Sequence, residues 1–143
     1  MRLLVFGGRD LIAADVAAWL EHHALARLGI ERAALSLLIE GGATGADRGA
    51  RFWAQSIGLP VKTYEADWDN ITRPGAVVRY TRTGKPYNAA AGGMRNQLML
   101  DDGKPDAVIG FPGGRGTADM WRRINNLVYT ADVLPKLIQV HNL

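Results

Sequence analysis

The chain has 143 residues, 48% of them hydrophobic and 22% charged, which is the composition of a globular protein with an ordinary core. It contains no cysteine, so disulfides and thiolate metal sites are excluded, and a reducing cytoplasm is the expected location. Every apolar run is shorter than the roughly 20 residues that span a bilayer, so no membrane contact is expected. The length predicts one domain over residues 1–143.

The positive charge of the chain is concentrated in one segment. The formal net charge is +3, and residues 70–100 contain no acidic residue. Five basic residues lie there: Arg73, Arg79, Arg82, Lys85 and Arg95. Because the remainder is mildly acidic, this segment sets the positive field and favours an anionic partner. A nucleotide, a nucleic acid or an acidic protein surface all meet that description.

Strands and helices are predicted to alternate along the chain. Residues 2–6 are too short for a secretory signal and predict a first strand. Apolar residues four apart from residue 16 to residue 28 predict a helix ending at Gly29. Later strands are predicted at 35–39, 61–65, 106–110 and 137–140, with helices at 46–57, 94–100 and 120–129. This order predicts an α/β fold, a single Rossmann-like three-layer domain with a mostly parallel sheet of about five strands.

Residues 67–90 interrupt this alternation. The segment holds two prolines, two glycines and most of the basic cluster, together with Trp68, Tyr80 and Tyr87. We interpret it as a basic loop or lid with a short hairpin near residues 77–83, and disorder is the alternative. Its aromatic side chains either stack on a base or anchor the loop, and anchoring is favoured.

Glycine-rich turns follow three of the predicted strands. The most informative covers residues 110–117, between an apolar strand and a helix. Glycines there remove Cβ atoms where a ligand would approach, and the helix that follows presents free N–H groups to an anion. Related turns occupy residues 7–9 and 41–47. Since right-handed crossovers bring such turns to the carboxyl edge of a sheet, a phosphate site is predicted at that edge. A tight connection without a ligand is the alternative.

Familiar fingerprints of phosphate and metal chemistry are missing from the sequence. Gly84-Lys85 is followed by Pro86 and lacks the upstream glycine of a P-loop. No Gly-x-Gly-x-x-Gly run follows a strand, so a nicotinamide dehydrogenase is not indicated. Acidic and histidine residues do not show metal-ligand spacing, so no metal is predicted.

Five short motifs occur in a distinctive order. They are Phe-Gly-Gly-Arg-Asp at 6–10, Gly-Gly-Ala-Thr-Gly-Ala-Asp at 41–47, Ala-Asp-Trp at 66–68, Ala-Gly-Gly-Met-Arg-Asn at 91–96 and Phe-Pro-Gly-Gly-Arg-Gly-Thr-Ala-Asp at 111–119. From residue 3 to about residue 139 the chain resembles the YspA-like branch of the SLOG superfamily, Rossmann-like nucleotide-binding domains that include the LOG phosphoribohydrolases and DprA. The resemblance implies a pocket for a nucleotide or nucleotide-derived ligand of the ADP-ribose, NAD or nucleoside monophosphate type. It implies no required cofactor and a homo-oligomer, expected to be a dimer.

The resemblance also implies candidate catalytic residues. LOG enzymes release a base from a nucleoside 5′-monophosphate with a Pro-Gly-Gly-x-Gly-Thr-x-x-Glu motif and the arginine of an Arg-x-x-x-Met segment. Residues 112–117 match the first motif and Arg95 with Met99 matches the second. Met120 stands at the glutamate position, and Asp119 precedes it. A methionine cannot stabilise positive charge on ribose, so Arg95 and Asp119 are the catalytic candidates and core packing is the predicted role of Met120.

The candidate ligand-binding residues belong to these turns and their flanks. Arg9 and Arg95 are the predicted cations for a phosphate. Thr44 and Thr117 either cap helices or donate to phosphate, and Asp47 either complements a helix N-terminus or contacts ribose or a metal. The complete set is Gly7, Gly8, Arg9, Gly41, Gly42, Thr44, Gly45, Asp47, Arg95, Asn96, Pro112, Gly113, Gly114, Arg115, Gly116 and Thr117.

Three functions are compatible with the sequence. The first is a sensor or carrier of a small nucleotide-derived ligand, because glycine turns occur without an evident catalytic acid. The second is a LOG-like phosphoribohydrolase or N-glycosidase. The third is binding of single-stranded nucleic acid, as in DprA, for which the acid-free basic segment with Tyr80 and Tyr87 is the motive.

Overall fold

The computed structural model describes residues 1–131 and 133–143. Within them, the strands are β1 (Arg2–Phe6), β2 (Leu37–Glu40), β3 (Val61–Thr63), β4 (Val78–Tyr80), β5 (Pro86–Asn88), β6 (Ala107–Gly110) and β7 (Lys136–Gln139). Five of these form one sheet in the order β3-β2-β1-β6-β7, and every neighbouring pair in it is parallel. The remaining two, β4 and β5, pair as a separate antiparallel hairpin. The predicted α/β fold is therefore confirmed.

The helices are α1 (Ala13–Trp19), α2 (Leu25–Leu28), α3 (Ala46–Ser56), α4 (Ala91–Asp101) and α5 (Arg115–Thr130). A π-helical turn at Leu20–Ala24 joins α1 to α2, so the two run as one continuous helix. That helix ends at Gly29, whose φ of 68° is the left-handed conformation that favours glycine. The end of this helix is where the sequence predicts it.

Two buried clusters show that the sheet is covered on both faces. Successive side chains of a strand point to opposite faces. Leu3 and Val5 of β1 accordingly pack with α1, α2 and α3, whereas Leu4 and Phe6 pack with α4 and α5. All four are 5% exposed or less, which explains why β1 is continuously apolar from Leu3 to Phe6 rather than alternating. The molecule is a three-layer sandwich of helices, sheet and helices.

The strand order places the functional edge of the sheet. The chain winds outward from β1 through β2 to β3, and then returns to the other side of β1 at β6. Phe6 at the end of β1 is in register with Gly110 at the end of β6. The loops leaving these two strands turn to opposite faces, and a crevice opens between them at the carboxyl ends of the strands.

Two helices and the hairpin begin or end at positions different from those predicted. Helix α4 begins at Ala91 rather than residue 94, so Gly92 and Gly93 lie in its first turn and not in a loop. Helix α5 begins at Arg115 rather than residue 120. The hairpin predicted near residues 77–83 exists, and its second strand is β5. Glycine suits a helix start here because Gly92 lies under Trp68 and Gly93 faces Arg123.

None of the helices in residues 1–131 and 133–143 combines the length and the hydropathy that crossing a bilayer requires.

Candidate functional site

A cleft of about 1320 Å³ opens at the carboxyl ends of β1 and β6. The loop after β1 and the loop after β6 form two of its walls, and the first turns of α4 and α5 form the others. Trp68, from the segment before the hairpin, completes the rim. Two of the three predicted glycine turns therefore converge on one space, and the third contributes Ala43 and Asp47.

The N-terminus of α5 is open towards this cleft. Gly114 occupies the N-cap position and provides no side-chain cap. The backbone N–H groups of Arg115, Gly116 and Thr117 have no hydrogen-bond acceptor among residues 1–131 and 133–143. Because α5 has 16 residues, these groups also carry the positive end of a long helix dipole. The geometry provides donors and a favourable potential for an anion.

Gly114 and Gly116 leave the space at this helix start unfilled. A Cβ atom built on either residue has no heavy atom within 4 Å. The fold therefore does not need glycine at these positions to avoid a clash. A glycine whose missing side chain would point into empty cleft is the kind expected where a ligand approaches the backbone closely.

Other glycines of the motifs are explained by contacts inside the protein. A Cβ on Gly7 would lie 2.7 Å from Cβ of Phe111, and one on Gly8 would lie 2.9 Å from the carbonyl oxygen of Pro112. A Cβ on Gly113 would lie 2.7 Å from the backbone nitrogen of Gly8. The N–H of Gly8 donates to the carbonyl oxygen of Pro112 at 2.8 Å. These glycines allow the β1 and β6 loops to interlock and so define the shape of the cleft.

The turn at residues 41–47 holds the β1 loop from behind. The N–H of Ala46 donates to the carbonyl oxygen of Gly8 at 3.1 Å, and the hydroxyl of Thr44 donates to that of Arg9 at 2.9 Å. Gly45, at φ 70°, lies against the Arg9 backbone. Four predicted binding residues of this turn do not line the cleft: Gly41, Gly42, Thr44 and Gly45. We assign them to positioning the β1 loop.

Arg95 and Asp47 meet at the base of the cleft. Nη1 of Arg95 donates to the carbonyl oxygen of Gly41, and its Nε donates to Oδ1 of Asn96 at 3.1 Å. A Cβ on Gly41 would lie 2.9 Å from Oδ2 of Asp47 and would collide with the Arg95 guanidinium. Gly41 is thus needed because these two side chains occupy the space beside its Cα. Burial lowers the pKa of Arg95, and the nearby Arg9 adds to this effect while Asp47 and Glu40 oppose it.

Asp47 is a buried carboxyl group that faces the cleft. Only 6% of the residue is exposed, and Oδ2 accepts the N–H of Ala43 at 3.1 Å. Burial raises the pKa of Asp47 to about 6, and the neighbouring Glu40 carboxylate also raises it. The Ala43 hydrogen bond and the charge of Arg95 act in the opposite direction but are outweighed.

Asp119 lies on the opposite wall, and both of its oxygens are already engaged. Oδ2 accepts from Nδ2 of Asn96 at 3.0 Å and from Nε of Arg123 at 2.8 Å, and Oδ1 accepts from Arg122. Burial acts to raise the pKa of Asp119, but the hydrogen bonds from Arg123 and Asn96 outweigh it and hold the pKa below its usual value. The neighbouring Met120 is 1% exposed and packs in the core, as predicted.

The rim carries two exposed arginines and one tryptophan. Arg9 and Arg115 line the cleft, and neither forms an ion pair with any residue in the described part of the chain. Trp68 is 40% exposed, and a Cβ on Gly92 would lie 3.2 Å from its ring. Trp68 therefore both packs on α4 and presents aromatic surface to the cleft. Tyr80 and Tyr87 do not line the cleft.

Two buried polar residues that support the site were not identified from the sequence. Glu40, at the end of β2, is fully buried and accepts the N–H of Gly42 and the hydroxyl of Thr63, each at 2.5 Å. Asn88 is also fully buried, and its Oδ1 accepts the N–H groups of Val77 at 3.1 Å and Ala90 at 3.0 Å. The only sequence signal for Glu40 is a carboxylate directly after an apolar strand, and Asn88 has none.

The comparisons with known proteins concern the first half of the chain. The family model for YAcAr, described as the YspA, cpYpsA-related SLOG family, matches residues 1–70. This segment includes β1 to β3, the loop after β1 and Asp47. A search among curated proteins found no match. In the described residues, His, Asp and Glu side chains do not form any group of three that could hold a metal ion.

Proposed function

The chain belongs to the YspA, cpYpsA-related SLOG family, and from this premise we propose that its cleft binds a nucleotide or nucleotide-derived ligand whose phosphate lies at the N-terminus of α5. Family membership supports a nucleotide-related role in general. The open start of α5 is the observation that carries the specific proposal. The N–H groups of residues 115–117 have no acceptor within the described part of the chain, and the space beside Gly114 and Gly116 is empty. Such a site attracts phosphate through both hydrogen bonds and the helix dipole.

The charges of the rim support an anionic guest. Arg9 and Arg115 face the cleft without ion-pair partners in the described residues, so each is available for charge-assisted hydrogen bonds to phosphate oxygens. Arg95 has less freedom, because its Nε and Nη1 already donate to Asn96 and Gly41. We therefore assign phosphate contact to Arg9 and Arg115, and a structural role at the cleft base to Arg95.

The remaining surface of the cleft matches the other parts of a nucleotide. Trp68 offers a flat aromatic face for a base, and stacking of this kind tolerates different bases. The cleft volume of about 1320 Å³ exceeds the roughly 300–1,000 Å³ typical of drug-sized ligands. It therefore admits a dinucleotide-sized molecule such as ADP-ribose as well as a nucleoside monophosphate. Because both oxygens of Asp119 already accept hydrogen bonds from Asn96, Arg122 and Arg123, we propose a sensor or carrier before an enzyme.

Titration calorimetry and thermal shift with AMP, ADP-ribose, NAD and cyclic ADP-ribose test this proposal. At least one of them is expected to bind and to raise the melting temperature, since a ligand that binds only the folded state stabilises it. Arg9→Ala and Arg115→Ala are expected to weaken binding about tenfold each, from the loss of one charge-assisted hydrogen bond. Arg48→Ala is the matched control, because Arg48 is exposed and lies outside the cleft. No heat and no thermal shift with any of the four compounds would refute the proposal.

A second candidate function is hydrolysis of an N-glycosidic bond. It is favoured by one contact chain, in which Asn96 accepts from Nε of Arg95 and donates to Oδ2 of Asp119, so that both catalytic candidates share the cleft. Water would supply the hydroxyl group to C1′ of the ribose and the proton to the departing base. Chromatography of nucleoside monophosphates incubated with the protein would reveal free base. If Asp119→Asn releases base as fast as the wild type, Asp119 is not the catalytic carboxylate.

A further inference from the structure

The phosphate-binding proposal leaves one buried group of the cleft without a role. Asp47 lies at the start of α3, lines the cleft and is almost completely buried. Its Oδ2 accepts the Ala43 N–H at 3.1 Å and the backbone N–H of Gly41 also stabilises the carboxylate, but no side chain among the described residues donates to either oxygen. Because Asp47 lines the cleft, its carboxyl group can be reached from there. An acceptor of this kind is available to a ligand.

The surroundings of Asp47 do not neutralise it. Arg95 on α4 directs its hydrogen bonds to Gly41, Tyr64 and Asn96, and no ion pair with Asp47 forms in the described structure. Glu40 on β2 faces Asp47 as a second carboxylate; it accepts hydrogen bonds from Thr63 and Gly42 and forms an ion pair with Arg51 of α3 at 3.7 Å. Arg9, from the β1 loop, is the other charged group near Arg95. Asp47 therefore presents an acceptor whose charge is not fully balanced by its neighbours.

Two features of a carboxylate restrict what it can receive. An ionised carboxylate accepts hydrogen bonds but cannot donate them, so its ligand partner must be a donor. It also repels phosphate, so the phosphate is held at the α5 end of the cleft and a neutral part of the ligand lies against Asp47. The vicinal hydroxyls of a ribose are neutral hydrogen-bond donors, and the ribose is the part of a nucleotide next to the phosphate.

We propose that Asp47 is the residue that recognises a ribose hydroxyl, so that the cleft takes ribonucleotides in preference to deoxyribonucleotides. This inference rests on the proposed function, because it needs a nucleotide bound with its phosphate at α5. Burial raises the pKa of Asp47 to about 6, so the carboxylate form, which accepts hydrogen bonds from the ribose hydroxyls, predominates at pH 7.5 and is largely lost at pH 5. Glu40 and Arg95 are the charged groups that face Asp47, and Arg9 acts indirectly because it lowers the pKa of Arg95.

Calorimetry with AMP and 2′,3′-dideoxy-AMP at pH 7.5 and pH 5 tests the inference. At pH 7.5 the wild type is expected to bind AMP about 10- to 100-fold more tightly, the contribution of hydrogen bonds to a charged group. The ratio is expected to fall at pH 5. Asp47→Ala should bind both compounds within about threefold of one another, while Asp47→Asn should retain a smaller preference that does not change with pH.

The outcomes that would contradict this inference differ from those that would contradict the proposed function. Asp15→Asn, an exposed residue of α1 outside the cleft, should keep the wild-type ratio. Equal binding of AMP and dideoxy-AMP by the wild type at both pH values overturns the role of Asp47 but leaves phosphate binding intact. A preference for AMP that survives in Asp47→Ala also overturns the role of Asp47 alone. If the wild type binds neither compound, both the role of Asp47 and the proposed phosphate site are overturned. If Asp47→Ala does not fold, Asp47→Asn and the pH dependence of the wild-type ratio decide the question.

Discussion

Gly113 and Gly116 are three residues apart, but a side chain would have opposite consequences at the two positions. A Cβ on Gly113 would collide with Thr117 and lie 2.7 Å from the backbone nitrogen of Gly8, whereas a Cβ on Gly116 has no heavy atom within 4 Å. Gly116 is also the second residue of α5, where alanine is the better helix former.

We therefore expect Gly113→Ala to lower the free energy of unfolding by about 1–3 kcal/mol through overpacking. Gly116→Ala is expected to raise the free energy of unfolding by about 0.5 kcal/mol and to weaken nucleotide binding, because its methyl group takes space next to the free N–H groups. Urea unfolding and titration calorimetry on both variants measure the two effects. Unchanged affinity in Gly116→Ala would show that the ligand does not approach the start of α5.

Asp47 is expected to cost the protein stability at neutral pH. Its pKa is about 6 in the folded state, against 3.8 for an ordinary aspartate. From about pH 4 to pH 6 the folded state therefore binds more protons than the unfolded state, and the free energy of unfolding falls as the pH rises through this window. The loss is complete above pH 6 and amounts at most to about 3 kcal/mol.

Asp47→Asn removes this titration. We expect the variant to be more stable than the wild type by about 1–3 kcal/mol at pH 7.5, and the difference to shrink at pH 4.5. Urea unfolding at the two pH values, with Asp15→Asn as the control for a simple charge change, measures it. A variant that is less stable than the wild type at pH 7.5 would contradict the buried-charge account. A cost in stability that is retained at a cleft residue is consistent with a functional role.

At the scale of elements, the sheet was predictable because its strands carry their own signal. Strands β1 and β6 are runs of apolar residues buried on both faces, and that pattern predicts parallel strands without knowledge of their partners. The start of α4 was not predictable in the same way. Gly92 and Gly93 favour a loop by local propensity, but their contacts with Trp68 and Arg123 are made by residues more than 20 positions away.

The site was predictable only in part, for a related reason. The turns after β1 and β6 carry glycines whose spacing is visible in the sequence, and both line the cleft. Which glycines serve the fold and which leave room for a ligand depends on the atoms facing them, and that is set by tertiary packing. Tertiary packing also sets the roles of Asp47 and Asp119. Both are aspartates near the start of a helix, but their carboxyl groups contact different partners.

One buried amide ties the β4–β5 hairpin to the start of α4. Oδ1 of Asn88 accepts the N–H groups of Val77 and Ala90, tying the hairpin to the start of α4. Asn88→Ala leaves both donors unpaired, so we expect a loss of about 1–3 kcal/mol in the free energy of unfolding. Hydrogen exchange at the Val77 and Ala90 amides should accelerate by a larger factor than the loss in the free energy of unfolding predicts. Asn126→Ala, at an exposed position of α5, is the control. Unchanged exchange at both amides would show that the hairpin is held by other contacts.

Trp68 provides a direct readout of ligand in the cleft. The chain has four tryptophans, and Trp68 is the one that lines this space. A base stacked on its ring is expected to change the intrinsic fluorescence, and Trp68→Phe should abolish that change while retaining most of the affinity. Trp19→Phe is the control, because the ring of Trp19 packs on Phe111. This variant should keep the ligand-induced change in fluorescence. A ligand-induced change that persists in Trp68→Phe would place the base elsewhere.

At the scale of the whole molecule, two separate groups of basic residues could contact an anionic ligand. One set lines the cleft and includes Arg9 and Arg115. The other lies on the hairpin, where Arg79 and Arg82 are exposed and outside the cleft. A small nucleotide requires only the first set. A single-stranded nucleic acid would need a continuous path over both, so the two functions make different demands on the hairpin.

The salt dependence of binding separates these demands. A nucleotide carries no condensed counterion layer, so its affinity is expected to fall only a few-fold between about 50 and 200 mM salt, whereas a polymer that contacts several phosphates loses orders of magnitude. We expect the double variant Arg79→Glu/Arg82→Glu to keep the wild-type nucleotide affinity within about twofold, since long-range effects are screened beyond roughly 10 Å. Fluorescence titration with a nucleotide and with a single-stranded oligonucleotide measures both quantities. If the double variant loses the nucleotide as well, the hairpin belongs to the small-molecule site. A different result would favour nucleic-acid binding over the sensor or carrier role. In that case the wild type binds the oligonucleotide with an affinity that falls steeply with salt, and the double variant loses this binding. The exposed arginines of the hairpin would then contact a ligand that extends beyond the cleft.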